Sequence, residues 1–421
     1  MNEHRASGSR RKPPFFCRFF RWTAAAATVV CLAAGIAGAA AWKLSPNSLT
    51  VTDTAGFSLN SGWYQVTQTG TGSTRTASSS GESPSKAEIS LLGIIPVKSI
   101  SINREETPEA MVCGIPFGIK MEAKGVVIVG TADITSNGKS VNPAAQAGLE
   151  VGDVIYQAGG KEVSENSQLA DIFETSGGSP VTIEAERGGK EFTAVLTPVY
   201  SEIDGLYKGG LWVRDSTAGI GTLTFYEPES GRFAGLGHGI CDVDTNELMP
   251  LGSGEILPVA ISGIVPGQRG AAGELQGYFS SDAPIGELSA NTETGVYGTL
   301  YQTPQHGETL PIAMKQQVHA GKAKILATID GQGPQYYDIE IESVNYDESK
   351  ITKNLVIQVT DSRLLERTGG IVQGLSGSPI IQDNHLAGAV THVLVNNPQK
   401  GYGIFAETMW RYAQQTESAA A

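Results

Sequence analysis

Residues 374–379 read Gly-Leu-Ser-Gly-Ser-Pro, a Gly-x-Ser-Gly-x-Pro turn between strands, and the fold of the C-terminal half is decided around them. Working outward, residues 205–421 alternate short strand-like runs with Gly, Pro and Asn/Asp turns. GIGTLTFY (219–226) is followed by a turn at Pro228 to Gly231 and then by FAGLGHGI (233–240). ATIDGQGPQYYDIEIESV (327–344) and NLVIQVTD (354–361) come later. Period-2 runs punctuated this densely predict a sandwich or barrel. The whole chain has 421 residues, 52 of them glycine, with 40% hydrophobic and 17% charged, a balance that suits a turn-rich, mainly β protein.

The 374–379 turn resembles the nucleophile loop of chymotrypsin-like peptidases. There, small residues let the chain curl until two amides point at one oxygen. On that resemblance Ser376 is the nucleophile, and the backbone N–H groups of Gly374 and Ser376 form the oxyanion hole. A serine hydroxyl needs a base, and histidine is the usual one near neutral pH. Of six histidines, His4 falls in the N-terminal basic segment, while His306, His319 and His385 sit in polar context. His238, in Ala-Gly-Leu-Gly-His-Gly (234–239), stands at a strand-to-turn boundary among glycines and is the candidate base. His392, in AVTHVLV, is its structural alternative. Asp361, at the end of NLVIQVTD, is the candidate for orienting the imidazole. Asp242 and Asp244 read as solvated turn carboxylates. Ser378 is the second-choice nucleophile.

Upstream, NPAAQAGLEVGDVIYQAGGKEV (142–163) resembles the PDZ family, with Leu149, Gly152, Asp153 and Ile155 forming its L-x-x-G-D-x-I hairpin. A helix is expected over SENSQLADIF (164–173), behind a serine N-cap and stopped by Gly177. A hairpin turning at Gly188 and Gly189 closes the module. PDZ domains bind an extended peptide as an added strand. The resemblance puts the loop that holds the peptide terminus at Ile115, Pro116, Phe117, Gly118 and Ile119.

The N-terminus holds Arg5, Arg10, Arg11, Lys12, Arg18 and Arg21 against Glu3, leaving 24 basic and 42 acidic residues beyond position 42. An acidic ectodomain excludes nucleic acid as a partner. From Trp22 to Trp42 run 21 uncharged residues, enough at 1.5 Å each to cross a bilayer core. The preceding positive charges predict a cytoplasmic N-terminus and an extracytoplasmic remainder. The alternative is a cleaved signal peptide with its site near Ala39 to Ala41. Residues 66–86, rich in Ser, Thr and Gly, read as a tether open to proteolysis. The cysteines at 17, 31, 113 and 241 have no metal-ligand spacing, and only Cys113 and Cys241 could share an oxidising compartment. Neither a metal nor a cofactor is implied.

The expected organisation is a basic segment (1–21), a transmembrane anchor (22–42) and a flexible linker carrying a self-cleavage region (43–105). An α+β PDZ domain (106–199) and a chymotrypsin-like double β-barrel peptidase domain (200–421) follow. LTFYEPESGRFAGLGHGICDVDT, NTETGVYGTL and TDSRLLERTGGIVQGLSGSPIIQDNHLAGAVTHVLVNNPQKGYGIF are similar to the stage IV sporulation protein B family of serine peptidases of spore-forming Firmicutes. By motif, His238, Asp361 and Ser376 fall on that family's catalytic positions. The resemblance implies a signalling endopeptidase in the space between the two forespore membranes. Such an enzyme cleaves itself and then a membrane-bound regulator of an intramembrane metalloprotease, activating the late mother-cell sigma factor. The competing classes are an inert PDZ scaffold and an extracytoplasmic quality-control protease, which usually carries its PDZ module after the catalytic domain.

Overall fold

The computed structural model describes residues 95–304 and 307–415, strand segments at 48–51, 64–68 and 85–91, and the single positions 28, 35, 42 and 45. The 22–42 segment, the 66–86 tether, Cys17, Cys31, His4 and His306 thus lie largely or wholly outside the described residues. Among the described residues no helix is long and apolar enough to cross a membrane.

Residues up to Glu105 form one unit and Glu106 onward another. The first was expected to hold a flexible linker over residues 43–105. It instead contains a sheet of β1 (Ser48–Val51), β2 (Tyr64–Gln68), β3 (Ser85–Leu91) and β4 (Ile95–Arg104), in the order β1-β4-β3-β2. Leu49, Ile89 and Ile100 are buried in it. The apolar alternation of SKAEISL and IPVKSISI gives that sheet a face to bury.

The second unit starts with β5 (Glu109–Thr131), 23 residues long. Its last part enters the PDZ module, which comprises α1 (Pro143–Gln146), β6 (Val154–Ala158), α2 (Asn166–Thr175), β7 (Val181–Arg187) and β8 (Lys190–Leu196). Leu149, Ile155, Leu169, Phe173 and Ile183 form its core. The N-cap of α2 is Glu165, one residue beyond the expected serine, with the Gln168 side chain accepting from the Glu165 and Ser164 amides. Asp153 of the hairpin motif is fully buried and takes two hydrogen bonds from Arg187, at 2.6 and 2.8 Å, so that acid holds the hairpin shut.

The chain returns along β5 as β9 (Leu211–Tyr226) and continues through β10 (Arg232–Gly235), β11 (Leu251–Val265), β12 (Glu274–Phe279), β13 (Gly286–Thr292) and β14 (Gly295–Leu300). Antiparallel pairing runs β5-β9-β10-β14-β13-β11, and β11 pairs back onto β5, closing a first barrel. Its core includes Phe117 and Phe233, packed edge to face at 6.2 Å. The second barrel comprises β15 (Gly321–Ala327), β16 (Gln335–Val344), β17 (Leu355–Val359), β18 (Pro379–Gln382), β19 (His385–Val393) and β20 (Lys400–Phe405). It closes in the order β15-β16-β17-β20-β19-β18. Helices α3 (Ser362–Thr368) and α4 (Ala406–Gln415) pack outside it.

The PDZ module is therefore inserted between the first two strands of the first barrel, where the sequence suggested a boundary near residue 199. Both β5 and β9 span the junction. Gly125 makes the bend in β5, with φ +102° and its Cα so near β6 that a Cβ would lie 2.5 Å from Ile155 O. The expected PDZ loop, Ile115 to Ile119, is corrected by this arrangement. Those residues pair with β9 in continuous register, from Ile119 opposite Gly219 to Ile115 opposite Leu223, and Phe117 is 1% exposed in the barrel core. Ile119 and Phe117 also oppose β11. The apolar Gly-containing run that looked like a binding loop is barrel wall.

Candidate active site

Strand β10 ends at Gly235, and the next residues turn sharply, with Leu236 in the left-handed region at φ 65° and Gly237 at 71°. A β-branched or bulky residue rarely adopts this conformation, at a cost of about 1 kcal/mol or more. Leu236 is held there by burial of its side chain and by its amide donating to Thr222 O at 3.3 Å. The turn delivers His238, half-buried, with Nδ1 2.9 Å from Gly239 O. A proton on Nδ1 donated to that carbonyl leaves the Nε2 lone pair free, the tautomer a general base requires. Burial lowers the His238 pKa below the ordinary histidine value, and the Gly239 carbonyl pulls the other way. The imidazole is consequently neutral at pH 7.

The residues after His238 are clamped by Asn291 of β13, whose Oδ1 accepts from Ile240 N and whose Nδ2 donates to Ile240 O and Met249 O. Asp242, expected to be solvated, is 2% exposed. It accepts from the Asp244 and Thr245 amides and faces Arg214 of β9 at 3.0 Å. A carboxylate four residues from an imidazole is legible in sequence, but its burial depends on Arg214 arriving from a strand shared with the PDZ module.

Ser376 lies between β17 and β18 in sequence, on a loop whose Gly374 and Gly377 have φ of +96° and +94°. Its Oγ donates to Thr391 O at 2.7 Å. Thr391 precedes His392 in β19, and the His392 ring lies against His238, centroids 4.8 Å apart. The serine and the histidine are thus gathered at one place through the Thr391-His392 pair, and the Ser376 hydroxyl makes its hydrogen bond to the backbone, not to the imidazole. Burial, with the charges of His238 and Lys353 adding, pushes the His392 pKa down to about 4. His392, the alternative base in sequence, is a neighbour of the site with no hydrogen bond of its own among the described residues.

Around Ser376 the amides of Leu375, Gly377 and Ser378 donate to Val372 O, Val390 O and Leu375 O. Those of Gly374 and Ser376 have no acceptor among the described residues. Two neighbouring amides left open beside a hydroxyl are what stabilisation of a tetrahedral oxyanion needs. Ser378 is fully buried with its Oγ unpartnered, so it cannot reach a substrate.

Asp361 is not brought to His238. It is the N-cap of α3, accepting from Arg363 N at 2.9 Å and Leu364 N at 3.4 Å, and its other oxygen accepts from Asp338 N. The Arg363 guanidinium donates to both oxygens, at 3.1 and 2.8 Å. That guanidinium, and then the backbone donors, hold the carboxyl well below its usual value, at about 2, against a smaller opposing effect of burial. The Asp-Ser-Arg sequence after a strand signals a helix cap as strongly as a catalytic acid, because Asp is a favoured N-cap. Of the remaining histidines, His319 pairs with Asp383 at 2.9 Å and His385 bonds to Asp383 O, both at the surface. Cys113 is buried and Cys241 exposed, and the two are unbridged. No cluster of potential metal ligands exists among the described residues.

Residues 205–410 match the family model described as SpoIVB peptidase S55, and residues 140–187 match a PDZ domain model. A Bartonella henselae protein named as a zinc metalloprotease is 36% identical over 80 residues, 19% of this chain. The chain spans 22% of that relative's length. Among solved structures, the PDZ domain of an SdrC-like protein from Listeria monocytogenes is 21% identical, with a TM-score of 0.18 over 21% of this chain and 87% of that one. The HtrA-type protease AlgW with a decapeptide is 11% identical, with a TM-score of 0.30 over 49% and 55%. Rv3671c from M. tuberculosis H37Rv is 12% identical, with a TM-score of 0.26 over 47% and 82%. The chain thus matches a serine-peptidase family model, that of SpoIVB peptidase S55, over residues 205–410 and a PDZ domain model over residues 140–187.

Proposed function

We propose that this chain is a membrane-anchored endopeptidase acting outside the cytoplasm, in which Ser376 attacks the scissile carbonyl and His238 takes its proton. The observation that carries the proposal is the 374–378 loop, which leaves the Gly374 and Ser376 amides open beside a hydroxyl gathered with His238 by the Thr391-His392 pair. On attack the Ser376 hydroxyl leaves Thr391 O, its oxygen bonds to the scissile carbonyl carbon, and its proton passes to Nε2 of His238. The Gly239 carbonyl takes the tautomer-fixing place that the sequence suggested for Asp361.

The family match supports the finer reading of a sporulation signalling enzyme that cleaves itself and then a membrane-bound regulator of an intramembrane protease. The basic N-terminus and the uncharged 22–42 stretch support an anchored, extracytoplasmic placement. Peptide binding by the PDZ module is assigned to the groove between α2 and the start of β9. Leu211 opposes Thr131, and the neighbouring bond runs from Ala132 N to Gly210 O, so the N–H and C=O of Leu211 face away from β5. That edge runs the length of α2, from Gly209 beneath Phe173 to Asp215, whose carboxylate accepts from Asn166 N.

The test is the full chain expressed with Ser376→Ala and the N-terminal sequence of any released form. Self-cleavage is lost in the variant if the reading holds. Release at the same site with Ser376→Ala would assign the cut to another protease.

A further inference from the structure

In Gly-Thr-Leu-Thr-Phe (221–225) of β9 the side chains alternate between two faces. Leu223 and Phe225 enter apolar cores, while Thr222 and Thr224 are 2% and 0% exposed on the opposite face. A buried methyl pair could be supplied by valine, which has the same shape. The hydroxyls have another destination. Thr222 Oγ1 donates to Gly374 O at 2.8 Å, Thr222 N to Ser376 O at 2.9 Å and Thr224 Oγ1 to Gly377 O at 2.7 Å.

A peptide unit is planar, with its N–H pointing opposite its C=O, so fixing a carbonyl fixes the amide of the next residue. The Ser376 amide belongs to the unit that joins Leu375 to Ser376. The units on either side carry the Gly374 and Ser376 carbonyls, and both are tied to Thr222. Thr224 holds the following unit through Gly377 O. No space is left for an alternative path, because a Cβ on Gly377 would lie 2.0 Å from Thr222 O. A buried hydroxyl on a strand competes poorly with an apolar side chain unless its partner is worth having.

We propose that Thr222 and Thr224 are positioning residues for the peptidase reaction. From the first barrel they hold the carbonyls of Gly374, Ser376 and Gly377, which fixes the peptide units on both sides of the Ser376 amide and thereby aims that open amide at the oxyanion. This rests on Ser376 being the nucleophile, and a Ser376→Ala control tests that separately.

The experiment uses the full chain in detergent and the rate of covalent labelling by a fluorophosphonate, whose phosphoryl oxygen occupies the oxyanion position. Thr222→Val and Thr224→Val keep the side-chain volume and remove the hydroxyl. Thr222→Ser and Thr224→Ser keep the hydroxyl and remove the methyl. Losing one oxyanion donor outright costs about 10²- to 10³-fold, so misaiming the Ser376 amide should slow labelling by about 10- to 100-fold in each valine variant. The serine variants should stay within about threefold of wild type, and cleavage of a fluorogenic peptide should fall in kcat with KM little changed. Melting temperatures distinguish misfolding from misaiming, because a packing role makes serine the worse replacement and valine the better. Valine variants that label at the wild-type rate, or serine variants slower than valine ones, overturn the inference. Persistent labelling of Ser376→Ala instead overturns the assignment of the nucleophile.

Discussion

Replacing Asp361 by alanine separates a structural carboxylate from a catalytic one. The variant removes the N-cap of α3, for which the loss is typically about 1 kcal/mol. It also strands the Asp338 amide, at about 1 kcal/mol or more, and releases Arg363 from a pair whose exposed guanidinium limits its worth to about 1 kcal/mol or less. The sum is roughly 2 to 3 kcal/mol, or about 5 to 10 °C in melting temperature for a unit of this size. The sign with pH is fixed by the depressed pKa. The folded carboxyl titrates near 2 and the unfolded one near 3.8, so its contribution is fully present above about pH 4 and lost as pH falls through 2. Wild type and variant should therefore differ at pH 7 and converge near pH 2. The assay is a thermal melt at both pH values, together with fluorophosphonate labelling at 20 °C, where both proteins are folded. Labelling should stay within about threefold of wild type. A loss of 100-fold or more with an unchanged melt would show that Asp361 acts in the reaction, and the cap would then be incidental.

The labelling rate should fall with decreasing pH with a midpoint below 6.5, because burial lowers the His238 pKa and only the neutral ring accepts the serine proton. His238→Gln should lose about 10²-fold or more together with that pH dependence, whereas a midpoint above 7 would contradict a buried base. Gly377→Ala forces a Cβ to 2.0 Å from Thr222 O at a φ of +94°, so the loop must move. A displacement of about 1 Å there is expected to cost about 100-fold in labelling, and a variant labelling normally would mean that the loop has slack.

The serine loop was legible in sequence because its chemistry is local. Gly374, Ser376, Gly377 and Pro379 specify a turn within six residues, and the structure leaves open the two amides that the pattern implies. The strand-to-turn setting of His238 was legible for the same reason, since glycines on both sides permit the close approach seen at Thr292 O and Thr391. What sequence obscured was everything decided by pairing at long range. Ile115 to Ile119 has a composition that suits a loop, yet two strands, β9 and β11, claim both of its edges and make it a barrel wall. Asp361 failed as a triad member because a cap and an acid look alike until Arg363 and the Asp338 amide are seen to occupy both oxygens.

The insertion of the PDZ module into the first barrel has a physical consequence. Residues 211–215 of β9 form the open edge beside α2, and eleven residues on from Leu211 the same strand holds the nucleophile loop through Thr222. Arg214, between them, pairs with Asp242 and Asp244 in the segment that follows His238. A module attached by a flexible tether could bring a peptide near the site without altering it. Here two strands, not a linker, join the parts, and from Leu211 to Thr222 β9 is laddered to β5, so a shift of one against the other must break ladder hydrogen bonds. The Ser376 loop, through Thr222, and the segment after His238, through Arg214, are both tied to β9, whose far end is the open edge beside α2, so a displacement of that edge and the geometry around Ser376 and His238 share one strand.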